Sequence, residues 1–350
     1  MQDHVQKPLK IIYLGDSSAS SNSHHRAEAL RRLGCIIDVI DPYEFLKSKP
    51  QYRRWIEYRI GYHFLAKYIL ERIIYLFQDT SETYDLIWVN GGELLGSSAI
   101  RWLKETFKCP VVLYQNDDPT GSRNYSCFGS LRASLPFYDL CVLVRPETAL
   151  EVLCMGAKKS LRIFMSYDEV AHAVIEDSPC FVVQPTVSFV GTFIPGEGRD
   201  SFLITLIKTA LPVRLWGDNW HRSKLWPLLK ACFYGLGVTG QAYAQVVHTA
   251  SICLGLLSHQ NRDLHTRRSV EIPACGGLLC AERTSEHQLL YEEGVEALFW
   301  DTAEECAKKC KKILADSQLN HSVRSASSRR IREMGVGNED ICRQILTTAL

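Results

Sequence analysis

The feature that most constrains the fold is a regular alternation of short apolar runs with segments of helical spacing, which occurs twice along the chain. In the first half, residues 10–15 form an apolar run, residues 24–33 have helical spacing, and residues 35–40 form the next apolar run. Strand–helix–strand order with short loops predicts parallel neighbours joined by a right-handed crossover. Two such series predict an α/β protein with two doubly wound, Rossmann-like sheets, one in each half of the chain.

The length of 350 residues suits two domains, since one domain usually contains about 100–200 residues. Residues 166–184 are mixed and loop-like, so we place the domain junction there. We expect a first domain over residues 1–180, a second over residues 186–326, and a final helical region, 327–350, that is able to cross back to the first. Because doubly wound sheets bind ligands at the carboxyl ends of their strands, the cleft between two such domains is the expected site.

The composition excludes several classes of protein. The 40 basic and 39 acidic side chains give a formal net charge of +1, so neither nucleic acid nor an anionic membrane is expected as the main partner. The 13 cysteines include no Cys-x-x-Cys pair, which favours buried free thiols over a zinc site. The amino terminus lacks the apolar run of a signal peptide, and no stretch is apolar enough for a transmembrane helix. We therefore expect a cytoplasmic protein without a bound metal or a separate cofactor.

The most informative segment is Asn261-Arg-Asp-Leu-His-Thr-Arg-Arg-Ser-Val-Glu-Ile-Pro-Ala-Cys-Gly-Gly-Leu-Leu-Cys. In it, a loop with an acid, Asp263, and two arginines, Arg267 and Arg268, leads into a short helix. The start of such a helix offers free N–H groups and the positive end of the helix dipole, which suit a diphosphate.

Glu271 lies one helical turn into this segment, where its carboxylate is able to accept hydrogen bonds from a ribose diol. Gly276 and Gly277 allow a tight return into the next strand. Taken alone, an acid on a helix is usually a solvated surface group, and a Gly-Gly pair is usually a turn. The ordered set of acids, arginines and glycines favours a site for a nucleotide-diphosphate-sugar instead.

The segment resembles the donor-binding signature of the spore-maturation-protein type of glycosyltransferases, relatives of the retaining glycosyltransferase-B enzymes. The family pattern ends in Phe-Glu-Ile-Pro-Ala-Cys-Gly-Gly, and here Val270 replaces the Phe. In the wider group two acids stand eight positions apart, as Asp263 and Glu271 do. The resemblance implies that Asp263 contacts the donor sugar and Glu271 the ribose. It also implies a glycosyltransferase-B fold, in which two Rossmann-like domains face each other across a cleft.

Other segments within residues 186–326 fit the same resemblance. Ser188-Phe-Val-Gly-Thr is similar to the family's opening strand and turn, and Arg199 stands where the family places a basic residue able to meet the diphosphate. Gly237-Val-Thr-Gly, followed by Tyr243, resembles the element beside the nucleotide base. His265 is able to support the donor sugar, although such a histidine is more often structural. The resemblance implies a donor-binding set of Gly191, Thr192, Arg199, Gly240, Tyr243, His265, Arg267, Arg268, Glu271, Gly276 and Gly277.

In the first half, Tyr114-Gln-Asn-Asp-Asp-Pro follows a buried apolar run, so Asp117 and Asp118 should lie at the carboxyl end of a strand. One of them is expected to act as general base on an acceptor hydroxyl, or to position it, and the family has a similar element here. An Asp–Pro turn that caps the next segment is an equal alternative. The catalytic candidates are Asp117, Asp118 and Asp263.

Gly15, Asp16 and Ser17 end the first apolar run. They are expected to border the same cleft, where they would touch an acceptor or a phosphate. A plain helix cap is the alternative for the serines that follow.

Residues 51–78 are predicted to form one long helix in which arginines and lysines stand among aromatic side chains. Its amphipathic face is able to contact a membrane or a lipid-linked acceptor. The plainer interpretation is a helix that packs on the core and has one solvated side.

The resemblance implies an enzyme that moves a sugar from a nucleotide-diphosphate-sugar to an acceptor hydroxyl, with no metal and, by analogy, with retention of anomeric configuration. The second domain would bind the donor and the first the acceptor. Two alternatives stay open: a sugar-nucleotide epimerase or isomerase of the same architecture, and a degenerate transferase that serves as a non-catalytic binding module.

Overall fold

The computed structural model describes residues 7–123, 125–173 and 184–350. The chain divides into two compact units. The first comprises Met1–Phe164, Gln260–Arg262 and Asn338–Leu350, and the second comprises Met165–His259 and Asp263–Gly337. Over the described ranges, no helix has both the length and the apolar composition needed to cross a membrane.

The first unit contains a sheet of six parallel strands in the order β2-β1-β3-β4-β5-β6. The strands are β1 (Lys10–Leu14), β2 (Ile36–Ile40), β3 (Leu86–Asn90), β4 (Val111–Gln115), β5 (Leu140–Leu143) and β6 (Ser160–Arg162). All of β4 and nearly all of β3 are buried. Helices therefore cover the centre of this sheet on both faces, which explains why these strands have continuous apolar sequences.

The helices of the first unit that precede the second sheet are α1 (Asn22–Arg32), α2 (Gln51–Ile60), α3 (His63–Phe77), α4 (Ser97–Phe107), α5 (Gly129–Ser134) and α6 (Pro146–Cys154). Ser21 caps α1, since its hydroxyl accepts a hydrogen bond from the backbone N–H of His24 at 3.0 Å. The helix cap considered for these serines is therefore present.

The prediction of one continuous helix over residues 51–78 is wrong, because the chain breaks between α2 and α3. Gly61 and Tyr62 have φ angles of 82° and 59°, and this left-handed backbone ends α2 and redirects the chain. Within α2 only Glu57 is buried. The core contacts come from α3, which buries Leu65, Ala66, Ile69 and Ile73.

The second unit contains another sheet of six parallel strands, in the order β12-β11-β10-β7-β8-β9. The strands are β7 (Gln184–Val190), β8 (Val213–Trp216), β9 (Phe233–Gly235), β10 (Ala250–Gly255), β11 (Leu279–Glu282) and β12 (Leu298–Trp300). The helices are α7 (Arg199–Lys208), α8 (Trp226–Leu229), α9 (Gly240–Thr249), α10 (Arg267–Ala274), α11 (Ser285–Leu290), α12 (Ala303–Ala315) and α13 (Ser317–Glu333).

Two loops approach each other closely at the carboxyl ends of β7 and β8. A Cβ atom on Gly217, whose φ is 143°, would lie 2.0 Å from the carbonyl oxygen of Gly191. The same carbonyl accepts a hydrogen bond from Trp220 Nε1 at 2.8 Å. The turn at Gly191 therefore has a fixed position at this edge of the sheet, and position 217 requires glycine.

The last helix, α14 (Asn338–Ala349), is part of the first unit and packs against α1. Arg32 Nε lies 2.5 Å from Glu339 Oε1, which joins the two helices by an ion pair. Residues 338–350 therefore belong to the packing of the first unit.

Candidate functional site

The carboxyl edge of the second sheet is organised around the start of α10. The backbone N–H of Thr266 donates to Ser269 Oγ at 3.1 Å, and Ser269 Oγ is also 2.8 Å from His287 Nε2. Tyr291 donates its hydroxyl to the carbonyl of Ser269 at 2.7 Å. These bonds fix the first turn of α10, which presents Arg267 and Arg268.

Glu271, also on this helix, is almost fully buried, with only 2% of its surface exposed. Its carboxylate lies 2.6 Å from Arg268, 3.9 Å from Arg267 and 3.6 Å from His172. Burial alone would raise the pKa of Glu271, but the charges of Arg268 and Arg267 outweigh burial and lower it to about 2. Glu271 is therefore a carboxylate at neutral pH, held in a site of positive potential.

Tyr243, from α9, forms the wall beside this ion pair. The ring of Tyr243 is buried, and its centroid lies 4.0 Å from Arg268 Cζ. The His172 ring packs edge-on against the Tyr243 ring, with the two ring centroids 5.9 Å apart. The Nδ1 atom of His172 accepts a hydrogen bond from the backbone N–H of Asp168 at 2.9 Å. A cation stacked on an aromatic ring contributes to the position of the arginine.

His172 is a site residue that sequence analysis missed. It lies outside the donor signature and is nearly a hundred positions from Glu271 in the chain. Nothing in its local sequence distinguishes it from the other histidines, because its partners come from distant helices.

Arg199 is buried and donates to two backbone carbonyls, that of Thr192 at 2.9 Å and that of Leu257 at 2.9 Å. Thr192 follows β7 and Leu257 follows β10. In the described conformation the guanidinium therefore holds together two loops at the edge of the sheet.

His265 is almost fully buried, with 3% of its surface exposed. Its Nε2 accepts a hydrogen bond from the backbone N–H of Met165 at 2.9 Å, and its Nδ1 contacts the carboxylate of Glu286. Because a backbone N–H only donates, the ring proton must be on Nδ1. Both ring nitrogens are engaged by other residues of the protein, as in the structural alternative given for His265.

The remaining donor-side residues lie around the same edge. Asp263 is half-buried in the loop before α10, and its backbone N–H donates to the carbonyl of Ser258 at 3.3 Å. Gly240 begins α9 with a φ of 55°. Gly276 and Gly277 follow α10 and lead into β11.

In the first unit the two adjacent acids have different surroundings. Asp118 is buried, and its carboxylate accepts two hydrogen bonds from Arg262, at 2.6 and 2.8 Å, and one from Thr148 at 3.0 Å. Arg262 also pairs with Glu151 at 2.8 Å. Burial would raise the pKa of Asp118, but the hydrogen bonds and the charge of Arg262 lower it to about 2. With its oxygens engaged in this way, Asp118 is a structural anion.

Asp117 is exposed and lines two cavities, one of about 170 Å³ and one of about 310 Å³. Asp16 lines the larger one. Ser17 instead donates through its backbone N–H and its hydroxyl to Asp41, both at 2.9 Å. Gly15 packs so close to Ser23 that a Cβ atom would lie 2.3 Å from its hydroxyl oxygen. Of the predicted acceptor loop, Asp16 is thus the residue that faces this cavity.

Glu93 is a second site residue that sequence analysis missed. It is half-buried, lines both cavities together with Asp117, and accepts a hydrogen bond from the hydroxyl of Tyr43. A signal for it exists, since it follows the Gly91-Gly92 turn at the carboxyl end of β3. The rule that selected Asp16 and Asp117 applies equally to this position.

Three thiols of the second unit come together away from this edge. Cys306 Sγ lies 3.7 Å from Cys280 Sγ and 3.9 Å from Cys310 Sγ. Among the described residues this is the group whose atoms are placed to hold a metal ion. Structural zinc sites have four ligands, whereas these three cysteines are fully buried in the hydrophobic core. They pack as small apolar side chains.

Comparison with known proteins finds a match to one family model and to many solved structures. Residues 199–345 match a family model described as Glycosyl transferase-like. No curated protein matches the sequence. Among solved structures, sucrose-phosphate synthase from Thermosynechococcus elongatus is similar with a TM-score of 0.70 and 16% identity, covering 98% of each chain. HepE from Anabaena in complex with UDP-glucose has a TM-score of 0.65 and 14% identity, covering 97% of this chain and 99% of its own. The trehalose 6-phosphate synthase of Burkholderia multivorans has a TM-score of 0.62 and 11% identity, covering 98% of this chain and 96% of its own.

These likenesses show the fold: two parallel six-stranded sheets with flanking helices, as in glycosyltransferase-B enzymes. The family match over residues 199–345 indicates the class of the protein, a glycosyltransferase. The match to the Glycosyl transferase-like family covers α7 to most of α14, so it includes the segment Asn261–Cys280, whereas Gly191 and Thr192 lie before it. Membership of the spore-maturation-protein type stays a prediction.

Proposed function

We propose that the protein transfers a sugar from a nucleotide-diphosphate-sugar to a hydroxyl of an acceptor. The observation that supports it best is the buried Glu271 carboxylate, held charged between Arg267, Arg268 and His172 beside the ring of Tyr243. A nucleotide offers the complementary groups: a ribose diol for the carboxylate and a diphosphate for the arginines. HepE, which has the same fold, was crystallised with UDP-glucose.

In this proposal the bond between the anomeric carbon and the diphosphate oxygen breaks, and the nucleoside diphosphate leaves with the electron pair. Arg267, whose side chain is 40% exposed, and the N–H groups at the start of α10 stabilise the charge that develops on it. No metal is needed for that role. Asp263 orients the sugar, Glu271 holds the ribose, and retention of configuration follows by analogy with the wider group.

The acceptor hydroxyl forms the new bond to the anomeric carbon and gives up its proton. Of the two acids predicted for acceptor chemistry, we assign this side of the reaction to Asp117, because it is exposed and lines cavities. We assign Asp118 to structure, because Arg262 and Thr148 saturate it.

The function is tested by thermal-shift and calorimetric titration with UDP-, GDP- and dTDP-sugars, followed by product analysis with and without acceptors. One donor should stabilise the folded protein by about 3 kcal/mol at a hundredfold excess over its Kd, and transfer should require an acceptor. A changed sugar nucleotide in the absence of acceptor would favour the epimerase alternative. Binding without any turnover would favour the degenerate transferase, and no binding at all would contradict the proposal.

We also propose a cytoplasmic location. The cysteines in the described part of the chain are free thiols, most of them buried. Free thiols in this number are typical of proteins that fold in a reducing compartment.

A peripheral contact of α2 and α3 with an anionic lipid surface belongs to the same proposal. The two helices expose large apolar side chains, among them Tyr52 (69%), Trp55 (57%) and Phe64 (69%). Exposed cations lie on the same helices: Arg53, Arg54, Arg59, Lys67 and Arg72. Exposed rings and cations on one short helix are typical of interfacial helices, in which the rings enter the headgroup region and the cations pair with lipid phosphates.

Reversing two charges on α2, Arg53→Glu with Arg54→Glu, should weaken binding to phosphatidylserine vesicles by at least about 30-fold, since each cation near such a surface contributes about 1 kcal/mol. Co-sedimentation with vesicles measures the effect. The matched control is Lys311→Glu with Lys312→Glu, which reverses two exposed charges on α12. Equal loss in both variants, or equal binding of wild type to phosphatidylcholine vesicles, would contradict the lipid contact.

A further inference from the structure

A polar cavity of about 310 Å³ lies at the carboxyl ends of three strands in the first unit. Asp16 follows β1, Asn90 ends β3 and Gln115 ends β4, and all three line it. Ligand pockets of proteins begin at about 300 Å³, so this cavity has room for one small polar molecule, such as a single sugar ring.

The charged side chains that line this cavity are all acids, and a buried cation, Arg26, lies behind the lining, where it donates to Asn90 Oδ1 at 2.6 Å. The cavity's lining includes three carboxylates, those of Asp16, Glu93 and Asp117, and its described lining residues include no lysine, arginine or histidine. Burial raises the pKa of Glu93, the hydrogen bond from Tyr43 opposes this rise, and the negative charge of Asp117 adds to it. The carboxylates therefore repel one another, and a cation placed between them would relieve the repulsion.

Three residues that line the cavity carry polar side-chain atoms that lack partners. Tyr114 Oη, Gln115 Nε2 and Asn116 Oδ1 are buried and, within the described residues, have no hydrogen-bond partner. Tyr114 and Gln115 are 1% and 3% exposed. Buried polar groups are almost always hydrogen-bonded, so unpartnered groups that line a cavity indicate a polar ligand.

A smaller cavity shares Glu93 and Asp117 with the larger one. It is lined by the aromatic rings of Tyr58, Tyr62 and Phe128 and by one cation, Arg123. Aromatic rings pack against the apolar faces of sugar rings and attract cations. The combination of hydrogen-bonding groups, carboxylates and rings suits a ligand that is rich in hydroxyls and positively charged.

We propose that this cavity binds an acceptor that carries both hydroxyl groups and a protonated amine, the chemistry of an amino sugar. The inference rests on the proposed function, because it names the substrate class of the acceptor side. Glu93 is the residue expected to pair with the ammonium group, Asp16 is the second anion, and the Tyr43 hydroxyl positions Glu93. Phosphorylated or carboxylated acceptors would be repelled by the same carboxylates.

Calorimetry on the full chain tests the inference with D-glucosamine, its N-acetyl derivative and glucose 6-phosphate as probes. Glucosamine should bind at least about 10-fold more tightly than N-acetylglucosamine, since a charge-assisted hydrogen bond in a partly buried site has that effect. Glucose 6-phosphate should bind most weakly. Glu93→Gln and Asp16→Asn should each reduce the preference for the amine by about 10-fold.

The control is Glu105→Gln, which removes an exposed acid on α4 and should leave the preference unchanged. Equal binding of the amine and its N-acetyl derivative, tighter binding of the phosphate, or no binding of the amine would each overturn the inference. Donor binding is measured in parallel on the same variants. If wild type binds a UDP-, GDP- or dTDP-sugar but does not bind glucosamine, this inference alone fails. If wild type binds neither the donors nor glucosamine, the proposed function is contradicted as well.

Discussion

Replacing Glu271 with alanine is expected to weaken donor binding by about 100-fold, because the ribose would lose hydrogen bonds to a charged group worth about 1.5–3 kcal/mol each. The variant should also lose about 3 kcal/mol of unfolding free energy, since it leaves Arg268 beside Tyr243 without its buried counter-ion. Calorimetry with the best donor, well below the melting temperature, measures the first effect, and urea denaturation measures the second.

Two further variants separate binding from folding at this position. Glu271→Gln keeps the size of the side chain and removes its charge, so it should retain more stability than Glu271→Ala but still bind the donor weakly. Glu304→Ala removes an exposed acid on α12 and should alter neither quantity. If folded Glu271→Ala bound the donor as tightly as wild type, the assignment of Glu271 to the ribose would be wrong.

Asp118→Asn is expected to lower the unfolding free energy by about 3 kcal/mol, because it leaves Arg262 opposite a buried neutral amide. Arg262→Met should cost a similar amount. The double variant should lose clearly less than the sum of the two single losses, since the residues form one network. Urea denaturation of the four proteins at neutral pH completes this cycle, and strict additivity would show that the pair does not interact.

The same pair makes a prediction about pH. The pKa of Asp118 falls from its ordinary value of 3.8 to about 2 in the folded protein. A depressed pKa stabilises the folded state above the ordinary value, and this stabilisation is lost as pH falls from about 4 to about 2. Wild type should therefore lose more stability than Asp118→Asn between pH 5 and about pH 3. The control variant Glu105→Gln should follow wild type, because Glu105 is an exposed acid on α4 outside this network.

The two sheets were predictable because buried parallel strands leave a direct mark on sequence. Val111–Gln115 is fully buried and correspondingly apolar until its last residue. The break between α2 and α3 was not predictable in the same way. Gly61 tolerates a positive φ, but Tyr62 also adopts one, and an aromatic residue gives no local sign of this.

The candidate site residues likewise include some that sequence position predicts and some that it does not. Chain position at a strand end was enough to find Asp16 and Asp117, and it would have found Glu93 had the same rule been applied after β3. It could not separate Asp117 from Asp118, because the difference between them is Arg262, which is 144 positions away. His172 and Glu271 meet only through tertiary packing, so no spacing rule contains their contact.

The return of α14 to α1 has a consequence for biosynthesis. The first unit contains β1 and also α14, so the layer beside α1 stays incomplete until residues 338–350 have been synthesised. The second unit has no such dependence, since its sheet and helices are all made before residue 338. A nascent chain halted before Asn338 would therefore contain all of the second unit and a first unit in which α1 still exposes the face that α14 covers, a form that calls for chaperone protection until α14 has been made.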